Sequence, residues 1–576
     1  MRRTIRPGLV NGLVLAASRV TATALVILLI GMMPWLSGSS AEYTILRARY
    51  AELEATPENL ALVRAELGLD RGPWVIFWQW LTGLLHGDLG SSWITGEALG
   101  PGLFRSFSVS LTLMGLSLVV ALLVVALMLI RPMRDGLRFR PNRGSGLGSA
   151  ALSSLPTFLL GSLLLICFAV WLGWFPPYGW QSIRYAVLPA IAMGVPTGAY
   201  FGRLLSDAVA GAWSEPWVRT WVLGGVPERS LGLAVLRRAM SGLLSQVALS
   251  IVALTAGAVA VEQIFAIPGL GRSMLGSAAA QDVPAVQAAM VLLLLLAAVV
   301  GVLAAVGRWI ILGPALRGGA IPVPRPAAVG TRRTGVTALV AAGLLGLIIA
   351  AGLPRDPYAA DHERLQAPSW GLPLGADASG RDVLARVAHG AVSTLGVAVL
   401  VVAATFVIGI LVGLCGRWAT GLIEVVNALP TLIVGLLVAA VTGPNWLGAA
   451  IAVAITAWAP LAAHTADLVA EVRARPYIQL QPLWGVGKAR QLFFGVLPAV
   501  VPTIGRHAVL RLPGRALELA SLGFLGLGAQ PPSPEWGLLL SEGIDYLERA
   551  PWVVLAPALA LVLASVAAVA ASSREG

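Results

Sequence analysis

The sequence predicts an all-α integral membrane protein of two tandem six-helix halves in parallel orientation, about 12 transmembrane helices in all. Three observations lead there: a charge-poor apolar composition, apolar runs long enough to cross a bilayer, and an arginine distribution that repeats with those runs. Of the 576 residues, 57% are hydrophobic and 12% charged, whereas soluble chains carry about 25% charge. So little polar surface cannot cover a water-soluble body. The net charge of +12 raises nucleic acid as a partner. The basic residues are scattered between apolar runs rather than gathered on one face, which argues for no nucleic acid.

A helix crossing the ~30 Å hydrocarbon core needs about 20 mostly apolar residues. In the first half such stretches lie near 16–36, 106–130, 147–172, 185–205, 241–263 and 284–312. In the second they lie near 335–353, 392–416, 424–442, 446–470, 494–523 and 551–572. Arg2 and Arg3 before the first run resemble a signal peptide, but the run is long enough to span and no small-residue cleavage site follows. It is read as an uncleaved first span. Cys167 and Cys415 sit in apolar stretches and imply no disulfide framework, and the five histidines show no ligand spacing, so metal: none.

Arginine placement sets the orientation. Arg2, Arg3 and Arg6 precede the first span. Arg131, Arg134, Arg138, Arg140 and Arg143 follow the second, and Arg203, Arg219, Arg229, Arg237 and Arg238 the fourth. Arg308, Arg317, Arg325, Arg332 and Arg333 surround the joint, and Arg473, Arg475, Lys488 and Arg490 mark the matching loop of half two. The 530–548 loop instead carries Glu535, Glu542, Asp545 and Glu548. Both termini are expected in the cytoplasm. The domains are a first half over 1–318 with an outer loop at about 37–105, a cytoplasmic linker over 319–334, and a second half over 335–576 with an outer loop at about 354–391. Six spans per half is even, so both halves run the same way.

Local motifs recur in order. Trp217 to Gly225 lies between the fourth and fifth spans of half one, and Tyr477 to Gly485 lies in the same place in half two. Phe265-Ala266-Ile267-Pro268-Gly269-Leu270-Gly271 and Phe524-Leu525-Gly526-Leu527-Gly528 each follow the fifth span. Half one adds Leu69-Asp70-Arg71, Gly83 to Gly90, and Val261-Glu262-Gln263-Ile264-Phe265. Half two adds Pro373 to Asp377, Gly380-Arg381-Asp382-Val383-Leu384, His389-Gly390, and Pro531-Pro532-Ser533-Pro534-Glu535-Trp536-Gly537. On these residues the chain resembles the dipeptide/oligopeptide/nickel family of ABC importer permeases, its first and second permease subunits fused head to tail.

The resemblance implies a transport subunit rather than an enzyme, in a bacterial cytoplasmic (inner) membrane. It further implies two cytoplasmic ABC ATPase subunits (or one fused) binding ATP and Mg, an extracytoplasmic solute-binding protein, and peptide, nickel or a metal chelate as solute. No cofactor is expected on this chain. The only lysine, Lys488, is followed by Ala489, so there is no Gly-x-x-x-x-Gly-Lys-Ser/Thr phosphate loop. The ATPase-coupling residues implied are Trp217, Val218, Arg219, Thr220, Trp221 and Gly225 in half one, and Tyr477, Gln479, Gln481 and Gly485 in half two. Trp217, Val218 and Trp221 are read as apolar anchors for a helix-in-groove contact. The bland alternative is an amphipathic helix lying on the membrane. The family's loop usually opens Glu-Ala-Ala, where this chain has Arg219-Thr220-Trp221 and Gln479-Leu480-Gln481. Pro482 is expected to kink or interrupt the second helix.

One stripe goes beyond the resemblance. His507, Arg511, Arg515 and Glu518 are spaced by four, four and three, which puts them on one face of a continuous helix. Charges at membrane depth face partners or a wet cavity. The stripe is therefore a candidate translocation-path lining for an anionic group, or else an Arg515–Glu518 structural pair. Trp74, Trp78, Trp80 and Trp93 in the first outer loop serve a binding protein or an interfacial belt. A secondary transporter with two parallel six-span halves is the alternative from another class.

Overall fold

A computed structural model describes residues 17–572, apart from 18–19, 22, 37–38, 51, 139, 141–151, 153–155, 242, 244–253, 255–256, 313–331 and 430. Arg2, Arg3, Arg6 and Arg143, most of the fifth span of half one, and most of the 319–334 linker lie outside them. The described residues are mostly helical, joined by loops and turns, with only two single-pair β-bridges among them, Ser91 with Ala98 and Ala376 with Asp382. Among the described residues, five helices are long and apolar enough to cross a membrane: Leu99–Leu137, Val283–Leu303, Val383–Leu414, Trp446–Arg473 and Lys488–Leu510.

The chain gathers into two compact units, each drawing on both halves of the sequence. One contains the described residues of Met1–Gly100, Met274–Met290 and Ala351–Asp545; the other those of Pro101–Ser273, Val291–Ala350 and Tyr546–Gly576. In the first unit the pair Val383–Leu414 and Trp446–Arg473 forms the centre, with Thr431–Thr442, Leu497–Leu510 and Leu512–Phe524 packed around it. Gly409 and Gly413 bring its two backbones together: a Cβ at Gly409 would meet the Leu461 side chain at 2.8 Å, and one at Gly413 would press on Ala462 and Thr465. In the second unit Gly194, Gly198 and Gly202 of Ile183–Trp213 lie against Ser117, Ala121 and Met128 of Leu99–Leu137. Both are small-residue seams, which let helices approach where lipid supplies no hydrophobic drive for association.

Several sequence expectations change, three of them for reasons local to the chain. The 106–130 span grows to Leu99–Leu137, 39 residues or about 58 Å at the α-helical rise. The 424–442 span is broken into Thr420–Ala428 and Thr431–Thr442, with Leu429 extended between them. Leu429 precedes Pro430, whose ring disfavours helical geometry at the residue before it. The 494–523 span is likewise two helices, Leu497–Leu510 and Leu512–Phe524, broken at Arg511. Pro513 has no N–H to continue the first helix.

Candidate functional site

The two candidate coupling segments open and close alike. In half one, Glu215 is extended, Pro216 opens the helix Pro216–Leu223, and Gly225 closes it at φ 72°. In half two, Arg475 is extended, Pro476 opens Pro476–Leu480, and Gly485 ends the following turn at φ 74°. Proline suits the first helical position, where its missing N–H would have no partner. The endings match bond for bond. The Gly225 N–H donates to Val222 O at 3.0 Å and Val226 N–H to Trp221 O at 3.1 Å, while Gly485 N–H donates to Pro482 O and Val486 N–H to Gln481 O, both at 3.1 Å. This is the Schellman pattern, and its left-handed residue is glycine in both copies.

Val218 and Ile478, at the same place in each segment, are buried in the body of the protein. Val218 packs with Val209, Ala212, Trp213, Leu231, Val235 and Ala239, and Ile478 with Leu461, Val469, Val472, Val496 and Val500. Burying such a side chain stabilises by about 1.5–3 kcal/mol. The Trp217 indole N–H donates to Glu215 Oε2 at 2.6 Å, and Arg238 pairs with the same carboxylate at 3.0 Å. Val218 therefore attaches the helix to its own half and is not exposed to a partner's groove, while Trp217 is half-buried, held by Glu215 and set edge-on against Trp221. The surface turned outward is Arg219, Thr220, Trp221, Val222 and Leu223, the last 89% exposed. Tyr477, Gln479, Leu480, Leu483 and Trp484 form the matching surface, with Leu483 80% exposed.

Pro482 interrupts the second helix as its chemistry requires. The α-helix stops at Leu480 and continues as a tighter turn over Gln481–Trp484. Ile478 O, which loses the N–H that a non-proline at 482 would donate, accepts from the Gln481 N–H and from the Gln491 side-chain amide, the latter at 2.6 Å. Sequence reasoning missed Gln491, since nothing local marks it.

The stripe does not survive as one face, because the helix breaks at Arg511. The structure brings His507 instead to His464 on Trp446–Arg473, ring centroids 4.1 Å apart. Arg511 acts electrostatically on both rings. Arg515 Nη1 bonds both oxygens of Glu518, at 2.8 and 2.7 Å, and Thr431 lies 3.5 Å from the same carboxylate. Arg515 and Glu518 are thus a neutralised structural pair.

The segment leading into Val383–Leu414 carries a buried ion cluster. Arg386, 1% exposed, donates through Nη1 to Asp377 at 2.6 Å and to Glu542 at 2.8 Å, and Arg381 pairs with Asp377 at 2.7 Å. Burial alone would push the Asp377 carboxyl up. The Arg381 N–H and the Arg386 guanidinium more than offset it and hold it below its ordinary value. Among the described residues no group of three or more His, Cys, Asp or Glu side chains is placed to hold a metal.

Known proteins decide what this frame belongs to. The family of binding-protein-dependent transport system inner membrane components matches residues 138–311 and again residues 405–572. The chain belongs to this family. It is a multi-pass membrane permease of a binding-protein-dependent ABC importer, a transport subunit whose systems hydrolyse ATP on separate subunits. Its relatives include the di/tripeptide transport system permease protein of Pseudomonas aeruginosa, 36% identical over 35% of this chain and 72% of the relative. The dipeptide transport system permease protein of Alkalihalophilus pseudofirmus is 32% identical over 39% of this chain and 77% of its own length. The glutathione transport system permease protein of Salmonella typhimurium is 32% identical over 42% and 78%. Two family matches in one chain, with each relative covering less than half of it, make the permease a fusion of two subunits. That membership sets aside the secondary-transporter alternative.

Proposed function

We propose that this permease supplies both membrane subunits of an importer for di- or oligopeptides. The reading that peptides are the solute is supported by the relatives, whose names specify dipeptides, tripeptides and glutathione. The observation that carries the coupling mechanism is the duplicated segment, Pro216 to Val226 and Pro476 to Val486. Each is seated by one buried aliphatic residue, closed by one left-handed glycine, and exposes an apolar surface of its own. In this reading both segments face the cytosol, each docks on one ATPase subunit, and Mg and ATP stay on those subunits. The chain crosses the membrane twelve times in two parallel halves, 1–318 and 335–576, joined by 319–334, with both termini inside. The outer loops receive the solute-binding protein. His507, Arg511 and, across the helix pair, His464 lie along the solute path, while Arg515 and Glu518 hold its wall.

The test uses the full permease with its ATPases and binding protein in proteoliposomes. Tritiated dipeptide uptake that requires internal ATP is expected, and Gly225→Asp or Gly485→Asp should abolish ATPase co-purification while leaving membrane insertion intact. ATP-dependent uptake of nickel or a metal chelate without dipeptide uptake would overturn the peptide reading alone. Unchanged co-purification would overturn the coupling assignment.

A further inference from the structure

Each half contains a buried carboxylate in the same cradle, reached from a different point in the chain. In half one Ser110, on Leu99–Leu137, donates to Glu262 Oε1 at 2.5 Å and accepts from the Leu270 N–H at 2.7 Å. Glu262 Oε2 accepts from the Arg272 N–H at 2.9 Å. In half two Thr394, on Val383–Leu414, donates to Glu535 Oε1 at 3.3 Å and accepts from the Trp536 N–H at 3.2 Å. The two oxygens of Glu535 accept from the Gly537 and Leu538 N–H groups at 2.8 and 2.9 Å. So a hydroxyl on the first long helix of each half, a carboxylate, and the first N–H groups of a following short helix, Leu270–Ala279 or Trp536–Ile544, close one ring of hydrogen bonds.

Two further facts make the cradles equivalent. Ser110 lies twelve residues after Ala98 and Thr394 twelve after Asp382, the residues at which a single β-bridge closes the loop before each long helix. The glutamates come from opposite sides of the turn: Glu262 precedes the Phe265 to Gly271 motif, and Glu535 follows the Phe524 to Gly528 motif. Each passes over a glycine whose absent side chain leaves it room, since a Cβ at Gly269 would run into the Glu262 carboxylate and one at Gly523 into that of Glu535. Sequence position has changed between the halves while the geometry has not. A buried carboxylate costs free energy unless it is fully bonded, so a cradle built twice by two routes answers a requirement of the fold's working parts. In half two the seam is reinforced by the Trp536 indole donating to Val387 O at 2.9 Å and by Arg386 reaching Glu542.

We propose that Glu262 and Glu535 are positioning residues of the transport cycle, each welding the short outer helix of its half to the first long helix so that the two move as one piece during ATP turnover. The weld holds whatever the solute is. A loose joint would let the long helix move without carrying the outer helix, and ATP would be spent without transport.

Hydrogen exchange on the complete transporter in nanodiscs, resting and vanadate-trapped, tests this without any solute. The amides of Leu270, Arg272, Trp536, Gly537 and Leu538 are expected to be equally protected in both states. Faster exchange in the trapped state would make the cradle a latch that opens and overturn the weld. Ser110→Ala and Thr394→Ala should speed exchange at these amides by up to about tenfold, the upper scale of losing one net hydrogen bond. They should also raise the ATP hydrolysed per tritiated dipeptide imported, and Thr394→Ser should restore both. Alanine variants with unchanged exchange and unchanged coupling would overturn the proposal. If they fail to accumulate, the two-state comparison on the unmodified protein decides. Absent dipeptide uptake in the unmodified protein counts against the peptide reading only, and exchange still judges the weld.

Discussion

At the scale of single residues, the segment leading into Val383–Leu414 holds its stability in charges that burial makes all-or-nothing. Arg386 satisfies two acids at once. Removing one partner of a buried pair costs about 3–5 kcal/mol because the other charge is left stranded. Arg386→Ala is therefore expected to lower the thermal transition sharply in a nanodisc melt, whereas Arg475→Ala, which breaks exposed contacts with Glu471 and Tyr477, should shift it little. Glu535 gives a pH signature of the opposite sign to an ordinary paired acid. Burial pushes its carboxyl up to about 7, against an ordinary 4.5, and its hydrogen bonds to Gly537, Leu538 and Thr394 only partly counter that. Between about 4.5 and about 7 the unfolded chain gives up this proton while the folded one keeps it, so this group's contribution to stability falls as pH rises through that window. Melting temperature against pH should show that decline, and Glu535→Gln, which cannot ionise, should flatten it. Asp377 works the other way: its contribution is present above its ordinary value of 3.8 and is lost as acid protonates it through its lower folded value.

At the scale of elements, what was legible in the sequence is what depends on local chemistry alone. Gly225 and Gly485 could be read as sharp turns because glycine lacks a β-carbon, and Pro482 as an interruption because it lacks a donor. The faces of the coupling helices could not be assigned. An amphipathic helix has one apolar face whether that face meets its own core or a partner, and only the surrounding Val209, Trp213 and Val235 show that Val218 belongs to the core. The start of Val383–Leu414 was missed for a related reason. A hydropathy reading stops at Arg386 and His389, while Arg386 is held by Glu542, 156 residues away. His507, Arg511, Arg515 and Glu518 do not share one helix face because their periodicity assumed one helix across Pro513. The small-residue seams offer a test at this scale. Gly198→Leu would place a side chain where Ala121 backbone and Val124 already lie, forcing Ile183–Trp213 away from Leu99–Leu137. Overpacking of that kind costs about 1–3 kcal/mol or more. It is expected to reduce the folded yield in detergent, seen as loss of the monodisperse peak on size exclusion, while Gly343→Leu, where a Cβ would meet nothing, leaves the peak intact.

At the scale of the whole molecule, duplication explains features that no single span requires. The coupling segments repeat in backbone geometry and in the burial of Val218 and Ile478, but not in the surface they expose: Arg219, Trp221 and Leu223 in one, Gln479, Leu483 and Trp484 in the other. The frame has been kept while its contact surface has diverged, as expected of two subunits that came to share a chain. Each relative covers 35–42% of this chain but 72–78% of itself, so each half amounts to about one subunit. Fusion then changes how the halves meet rather than what they do, replacing an encounter between two chains by an intramolecular one at high effective concentration. Both compact units nevertheless draw segments from both halves, so neither half supplies either unit alone. Co-expressing 1–318 and 335–576 as separate chains should therefore restore ATP-dependent dipeptide uptake, with activity falling as expression is lowered, because association has become concentration-dependent. Either half alone should be degraded in the membrane. The measurement is uptake in vesicles set against the amount of each chain by immunoblot. Full uptake from one half alone would show that the second copy is dispensable, and no uptake from the pair at matched, stable levels would show that the covalent joint itself takes part in the cycle.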